Sequence, residues 1–471
     1  MAFIYEHMEM IKAVISFAEI FFVVYLIGYA SFLFISVLSG CNETFNSMKK
    51  KQLRNEIHHD YFVPVSIIVP AYNEEVTIAE TISSLLHLDY KSYEIIVVND
   101  GSTDQTAEIV TERYGLHEVQ RPIRRQLACK DPVSIYEGSM AERVSITLIN
   151  KENGGKADSI NMGINASRFP YFICMDADSI LQKDALNKIV LPVLENENVA
   201  AVGSMVRICN DSVFQDGELV ELRMPKKIIP AFQVLEYERS FLASRIFLDK
   251  FNANLIVSGA FGLFKKEAVL AVGGYKNNCM GEDMELIMKL HEYHRSNHLP
   301  CVIKYAYDAV CWTQCPERLR DLIRQRRRWH IGLIQSMAGH SRVMSMGSYF
   351  YYLFYEMLSP IIELFGFLCT ILAYVVGIIN LPVTVAIFVI YAVFGALLTV
   401  ITFTTRNFLS EHRVKLCDIL RAFLFCIPEV VFLRFVMAWT RMLAPLHMRG
   451  KKTKWGKIRR VKINYDSEGE T

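Results

Sequence analysis

Two acidic pairs, one glycine-lysine turn and one basic run stand out in this sequence of 471 residues. Asp176, Ala177 and Asp178 directly follow the hydrophobic run Tyr171 to Met175. Two carboxylates one residue apart at a strand end are costly to bury unless they are paired or hold a metal. They suit a hard divalent cation, Mg2+ or Mn2+, that shares its other ligands with a diphosphate; an ordinary acidic turn is the plainer alternative. Glu282 and Asp283 follow Gly281 and open an amphipathic segment with Leu286, Ile287 and Leu290, where acids also simply complement a helix dipole. At Gly154, Gly155 and Lys156, backbone that can approach a ligand closely precedes an ammonium suited to phosphate. The run Arg324, Gln325, Arg326, Arg327, Arg328, Trp329 could be a lipid-facing anchor. Its indole adds a stacking plane that an anchor does not require.

These groups need a scaffold that brings them to one rim. From Pro64 to about His340, short β-branched runs alternate with helical segments, the pattern of a parallel sheet covered by helices. Val65 to Pro70, Glu94 to Val98, Ile146 to Asn150 and Tyr171 to Met175 read as strands, and Glu74 to Leu88 as a helix. Ligands of such sheets sit beyond the carboxyl ends of the strands. Ala71 to Glu74, Asn99 to Ser102, Lys156 and Asp176 to Asp178 would all lie there. No G-x-G-x-x-G and no P-loop is present, so dinucleotide and P-loop chemistry lack their phosphate cradle. Tyr114 to Val144, with Arg121, Arg124, Arg125, Lys130 and Arg143, reads as a less regular, solvated loop. Small residues from Ser258 to Gly262 would leave room for a sugar ring, and a packed β-bend fits them equally well. His291, His294 and His298 lack the H-E-x-x-H spacing and read as a polar helix face.

Composition places this domain at a membrane. Hydrophobic residues make up 52% and the mean hydropathy is +0.22, which excludes a simple soluble or disordered chain. Lys plus Arg number 51 against 49 acids, so the near-neutral balance gives no global attraction to nucleic acid. The 11 cysteines form no C-x-x-C pair, and Cys311 and Cys315 have no second pair nearby, so a reduced main domain without zinc is expected. Ala13 to Leu38 holds one charge, Glu19, and exceeds the ~20 residues needed for a span. It is too long for a signal peptide and lacks a basic leader. Lys49, Lys50, Lys51 and Arg54 follow it, which places the next segment inside. Leu364 to Ile379 and Leu381 to Thr405 read as a helical hairpin, with Arg406, Arg413, Lys415 and Arg421 returning the chain inside. Phe423 to Leu443, broken by Glu429, Arg434 and Arg441, reads as interfacial or re-entrant rather than spanning, and Tyr349 to Tyr355 as an interfacial helix.

The ordered set of Pro70-Ala71-Tyr72-Asn73-Glu74, Asn99-Asp100-Gly101-Ser102, Gly155-Lys156, Asp176-Ala177-Asp178, Gly281-Glu282-Asp283 and Gln325, Arg328, Trp329 resembles the processive, membrane-embedded family 2 glycosyltransferases. These are the poly-N-acetylglucosamine, cellulose, hyaluronan and chitin-type synthases. Gly281 departs from the threonine that many relatives carry. The resemblance implies an α/β, GT-A (Rossmann-like) cytosolic domain at 64–340, after a membrane helix at 1–45 and a basic linker at 46–63. Interfacial and membrane helices at 341–448 and a basic cytosolic tail at 449–471 would follow.

It further implies that Ala71, Tyr72, Glu74 and Asp100 hold the uridine, Lys156 the diphosphate, and Asp176 with Asp178 the metal. Asp283, with Glu282 beside it, would serve as the base. Gln325 and Trp329, with Ser258 and Gly259, would line the acceptor site, and Arg328 would also lie near the diphosphate. One base and direct displacement invert the anomeric centre. The expected activity is polymerisation of a β-linked glycan from a UDP-sugar, UDP-N-acetylglucosamine ahead of UDP-glucose, and its export across the plasma membrane. The implied partners are the donor, the growing glycan, membrane lipid and a small accessory membrane subunit, with no nucleic acid. Single transfer to a lipid and a non-catalytic membrane scaffold or pore are the alternatives.

Overall fold

The computed structural model describes residues 2–55, 63–140, 144–215, 218–340, 346–409, 415–447 and 464–465. Arg143, Arg413 and nearly all of the basic tail lie outside the described residues. The strands in chain order are β1 Val65–Ala71, β2 Tyr93–Asn99, β3 His117–Glu118, β4 Pro132–Met140, β5 Val144–Lys151, β6 Tyr171–Met175, β7 Ser179–Leu181, β8 Val199–Ile208, β9 Val213–Gln215, β10 Glu218–Glu221, β11 Phe261–Lys265, β12 Val302–Thr313 and β13 Asn464–Tyr465. Ten of them form one sheet in the order β3-β4-β5-β2-β1-β6-β11-β8-β12-β7.

The central strands β5, β2, β1 and β6 are parallel. Their β-branched residues alternate between two cores. Ile67, Val69, Ile95, Val97 and Ile173 face one side, while Ile68, Ile96, Val98 and Phe172 face the other, as period-two side chains on a sheet covered on both faces must. The chain leaves β1 toward β2 on one flank and later returns to β6 on the other. The carboxyl ends of these strands therefore border a topological switch point, where open α/β sheets place their ligands.

Two sequence readings change here. The Tyr114 to Val144 stretch is not a plain loop: β4 runs antiparallel to β5, and Arg121 Nη1 pairs with Glu137 Oε1 at 2.7 Å across that edge. The helix expected from Glu74 begins only at Ile78. Before it, Asn73 takes a left-handed φ of 56° and Glu74 N–H donates to Thr106 Oγ1 at 2.9 Å, a turn that competes with helix.

Outside the sheet, helices run Ala2–Asn55, Ser359–Val375 and Leu381–Leu409. His7–Asn46 and Leu381–Asn407 are long and apolar enough to cross a bilayer, and Gly347–Met357 with Ser359–Val375, bent by 55°, could supply a third span. The Phe423 to Leu443 run falls on a helical rod from Leu416 to Met442. Its interrupting charges turn inward. Arg434 Nη2 and Nε donate to the two oxygens of Glu363 at 2.7 and 3.1 Å. Glu429 accepts from Nη1 and Nη2 of Arg239, both at 3.0 Å. Intramembrane charge is tolerated when paired toward a bundle interior.

Candidate active site

The loops at the carboxyl ends of the central strands are tied to one another by side chains. Asp100 N–H donates to the Ala71 carbonyl at 2.9 Å, and Asn99 Nδ2 to Asn150 Oδ1 at 2.9 Å. The Asp100 carboxylate accepts from Gly154 N–H at 2.9 Å and Gly155 N–H at 2.8 Å, and also from Lys151. Asp100 thus lines the cavity with its carboxylate already oriented by three donors.

Lys156 opens the helix Lys156–Ala166 behind Gly155, which sits at φ 93°. Its Nζ lies 2.5 Å from Asp176 Oδ1 and 3.7 Å from Glu282 Oε1. Burial alone would lower the ammonium's pKa, but Asp176 and Glu282 beside it reverse that and raise it. A cation absent from the local sequence around Asp176 and Asp178 is thereby supplied in space. Burial raises the Glu282 carboxyl, and neighbouring Asp283 adds to this against the opposing pull of Lys156. Asp283 Oδ2 accepts from Gly259 N–H at 3.4 Å, and Oδ1 from Met284 N–H at 2.8 Å. A Cβ at Gly259 would stand 2.9 Å from Lys156 Nζ, so this glycine lets backbone, ammonium and carboxylate meet.

Asp176 and Asp178 end β6, with the Ala177 carbonyl held by Thr81 Oγ1 at 2.8 Å. Among the described residues, no three of His, Cys, Asp and Glu gather as a metal cage. Two carboxylates beside a cavity fit a divalent ion that completes its shell with phosphate oxygens and water, the habit of Mg2+ in nucleotide sites. The three histidines do not join them. His294 Nδ1 contacts the Leu290 carbonyl one turn earlier in its helix at 2.8 Å.

Gln325, Arg328 and Trp329, the residues expected at an acceptor site, lie on the helix Leu319–His340. Trp329 is 40% exposed, and the buried Arg326 guanidinium sits 4.5 Å from its ring centroid, held by Glu236 at 2.7 Å. Gln325 Oε1 is buried without a hydrogen-bond partner among the described residues and lines the cavity, a free acceptor for a ligand hydroxyl. The departure at Gly281 also has a reason. A Cβ there would stand 3.1 Å from Gly332 Cα, and one at Gly332 would stand 2.6 Å from Gly281 N. The helix that begins at Glu282 and the helix that carries Trp329 therefore touch backbone to backbone. Gly332→Ala should cost about 1–3 kcal/mol as an overpacking defect, read as a lower unfolding temperature together with weaker turnover. Unchanged values of both would show that the helices part freely.

His340 clamps the same two helices. It contacts Glu292 through Nδ1 and Glu285 at 3.6 Å through Nε2, and Lys289 lies 3.8 Å from Glu285 on the facing helix. The hydrogen bond to Glu285 raises the His340 pKa against the effect of burial, and Glu292 adds to it. A pKa raised on folding gives stability that is full below the unfolded value of about 6.5 and is lost as pH rises through the folded value. The unfolding temperature of wild type minus His340→Gln should therefore be largest near about pH 6 and shrink as pH rises. A pH-independent difference would remove the charge from this contact.

A cavity of about 1940 Å³ contains every one of these site residues: Ala71, Tyr72, Glu74, Asp100, Lys156, Asp176, Asp178, Ser258, Gly259, Glu282, Asp283, Gln325, Arg328 and Trp329. It continues past Trp329 to Tyr351, Tyr355, Glu363, Tyr391 and Arg434 among the membrane helices. Three π-helical segments, Ser240–Ser244, Tyr351–Met357 and Glu429–Leu433, border it, a local geometry frequent at functional sites.

Residues 66–128 match the family model described as glycosyl transferase family 2, and residues 136–332 that described as glycosyltransferase like family 2. Residues 66–332 are a family 2 glycosyltransferase domain. Curated relatives of this glycosyltransferase include a poly-beta-1,6-N-acetyl-D-glucosamine synthase of Staphylococcus epidermidis, 30% identical over 275 residues, covering 58% of this chain and 55% of that one. The protein of the same name from Staphylococcus aureus strain COL is 31% identical over 287 residues, covering 61% and 58%. The chain thus spans less than two thirds of the length of these relatives. Among solved structures, the mannosyltransferase PcManGT of Pyrobaculum calidifontis, in complex with GDP-Man and Mn2+, aligns with a TM-score of 0.50 at 19% identity, over 89% of this chain and 98% of that one. This likeness bears on the fold, which is GT-A with membrane helices flanking the domain.

Lys151, Arg326 and Glu236 also support the site, a part that no motif in their sequence neighbourhoods announces. A lysine closing a hydrophobic strand was the available signal for Lys151, since buried charge demands partners.

Proposed function

We propose that this glycosyltransferase is a processive, inverting hexosyltransferase that polymerises a β-linked glycan from a UDP-sugar and passes it into its own membrane helices. The observation that carries this reading is the single cavity. It joins the nucleotide-side loops, both acid pairs and the Trp329 platform to an aromatic, charge-paired wall among the helices. A one-step transferase needs the first part and has no use for a polar passage of that depth. Tyr351, Tyr355 and Tyr391 offer stacking faces with hydroxyl edges, the lining that a hydroxyl-rich polymer would require.

In this reading Asp176 and Asp178 would hold a divalent metal, whose positive charge would be available to the leaving diphosphate. Asp283 removes the proton of the acceptor hydroxyl as the C1–O bond to UDP breaks and the new glycosidic bond forms. Gln325 and Trp329 hold the acceptor, and Ala71 to Glu74 with Asp100 the nucleoside. UDP-N-acetylglucosamine is the favoured donor, supported by the names of the staphylococcal relatives, and UDP-glucose comes next. The domain faces the cytosol of a multi-pass plasma-membrane protein, supported by the charge on either side of the first span.

The test is synthesis in proteoliposomes with the domain outward, using radiolabelled UDP-sugars and Mn2+ or Mg2+. Polymer inside the lumen, protected from an added glycan hydrolase, is the expected result. Labelled lipid alone would make the chain a single-transfer enzyme, and polymer fully open to digestion would overturn export by this chain.

A further inference from the structure

Lys151 closes β5 with its side chain wholly out of solvent. Its ammonium pairs with Asp100, lies 2.8 Å from Asp158 Oδ1, and donates to the Glu152 carbonyl at 2.9 Å. Three donors meet three acceptors, so its capacity is filled within the protein. No atom of Lys151 lines the cavity.

What surrounds this cation is the turn that delivers Lys156. The carboxylate of Asp100 receives both Gly154 N–H and Gly155 N–H. Asp158, in the first turn of the next helix, accepts Lys130 N–H at 3.2 Å and approaches Asn277 Nδ2 at 3.5 Å. It also closes one side of the turn, since a Cβ at Gly154 would stand 2.5 Å from its Oδ1. One buried ammonium therefore locks the ends of β2 and β5 to the first turn of the helix Lys156–Ala166. Removing it would leave two buried carboxylates facing each other, and like charges in low dielectric repel strongly.

We propose that Lys151 is a positioning residue for the transfer reaction: through Asp100 and Asp158 it fixes the Gly154–Gly155 turn and so sets where the Lys156 ammonium stands between Asp176 and Glu282. This rests on the reading of the site as a donor-dependent transferase. Placing Lys156 matters because the same ammonium that would meet the diphosphate competes with a divalent ion for Asp176.

The test uses the full chain in nanodiscs. Lys151→Met/Asp158→Asn keeps the net charge of the triad, while Lys151→Met alone does not. We expect the double variant to fold and to lose turnover by up to about 100-fold, the scale of a ~1 Å misplacement. Its Mn2+ affinity without donor, read by electron paramagnetic resonance, should rise several-fold, as it should in Lys156→Met. Adding the double substitution to Lys156→Met should change neither readout further, because residues acting through one group are not additive. Additive losses, an unchanged Mn2+ affinity, or failure of both Lys151 variants to fold would each overturn the proposal, the last by assigning Lys151 to stability alone. Mn2+ binding needs no turnover, so absence of transfer from UDP-sugars in the wild type would sink the transferase reading without deciding this one.

Discussion

Asp283→Asn should retain UDP affinity and lose at least ~100-fold in transfer, the lower range for removal of a general base. The amide is close to the carboxylate in shape. Its oxygen can still accept from Met284 N–H, the nearer of the two donors at 2.8 Å, so the start of the helix Glu282–Ser296 should survive. What disappears is the ability to take a proton from an incoming hydroxyl. Glu282 is a poorer candidate for that role despite its position next door, because it is buried and turned toward Lys156 at 3.7 Å. Asp283 instead lines the cavity beside Gly259, from whose N–H it accepts at 3.4 Å. Binding titration with UDP and single-turnover transfer separate the two quantities. Loss of UDP binding in Asp283→Asn would move this residue to the donor site.

The parts of the site that sit in strand-end loops were legible in the sequence because hydrophobic runs of five to seven residues announce where strands stop. β1, β2, β5 and β6 lie within a residue or two of their expected bounds, so Asp100, Lys156 and Asp176 could be placed on one rim. Contacts between segments distant in sequence were not legible. Nothing around Asp176 foretells Lys156 at 2.5 Å, since that pairing depends on β1 lying between β2 and β6. The contact of Gly281 with Gly332 is likewise a property of two helices crossing. Arg326 was readable only as one of several cations, and its stacking beneath Trp329 required Tyr237 and Glu236 from another helix. β4 was hidden by its composition: Pro132, Ser134, Glu137 and Gly138 are poor strand formers that pairing with β5 overrides.

Asp178→Ala is expected to abolish synthesis, and excess chelator should do the same to the wild type. The protein's own ligand set is poor. Asp176 is engaged by Lys156, Asp178 is buried at 8% exposure, and no third acid, histidine or cysteine joins them among the described residues. Two carboxylates, with Asp176 shared with an ammonium, would hold a divalent ion weakly until a diphosphate added its oxygens. Metal and donor should therefore bind together, with Mn2+ at least ~10-fold tighter in the presence of UDP than alone, if each phosphate oxygen counts as a full hard ligand. A divalent ion held there would supply positive charge to the leaving group alongside Lys156 and Arg328, and loss of Asp178 would leave for it only the Asp176 carboxylate already paired with Lys156. Lys156 cannot substitute for it, because a single positive charge at Asp176 leaves most of the diphosphate charge unbalanced as the bond to the sugar breaks. Full activity in excess chelator, or Mn2+ binding of equal strength with and without UDP, would sink this account of the acid pair.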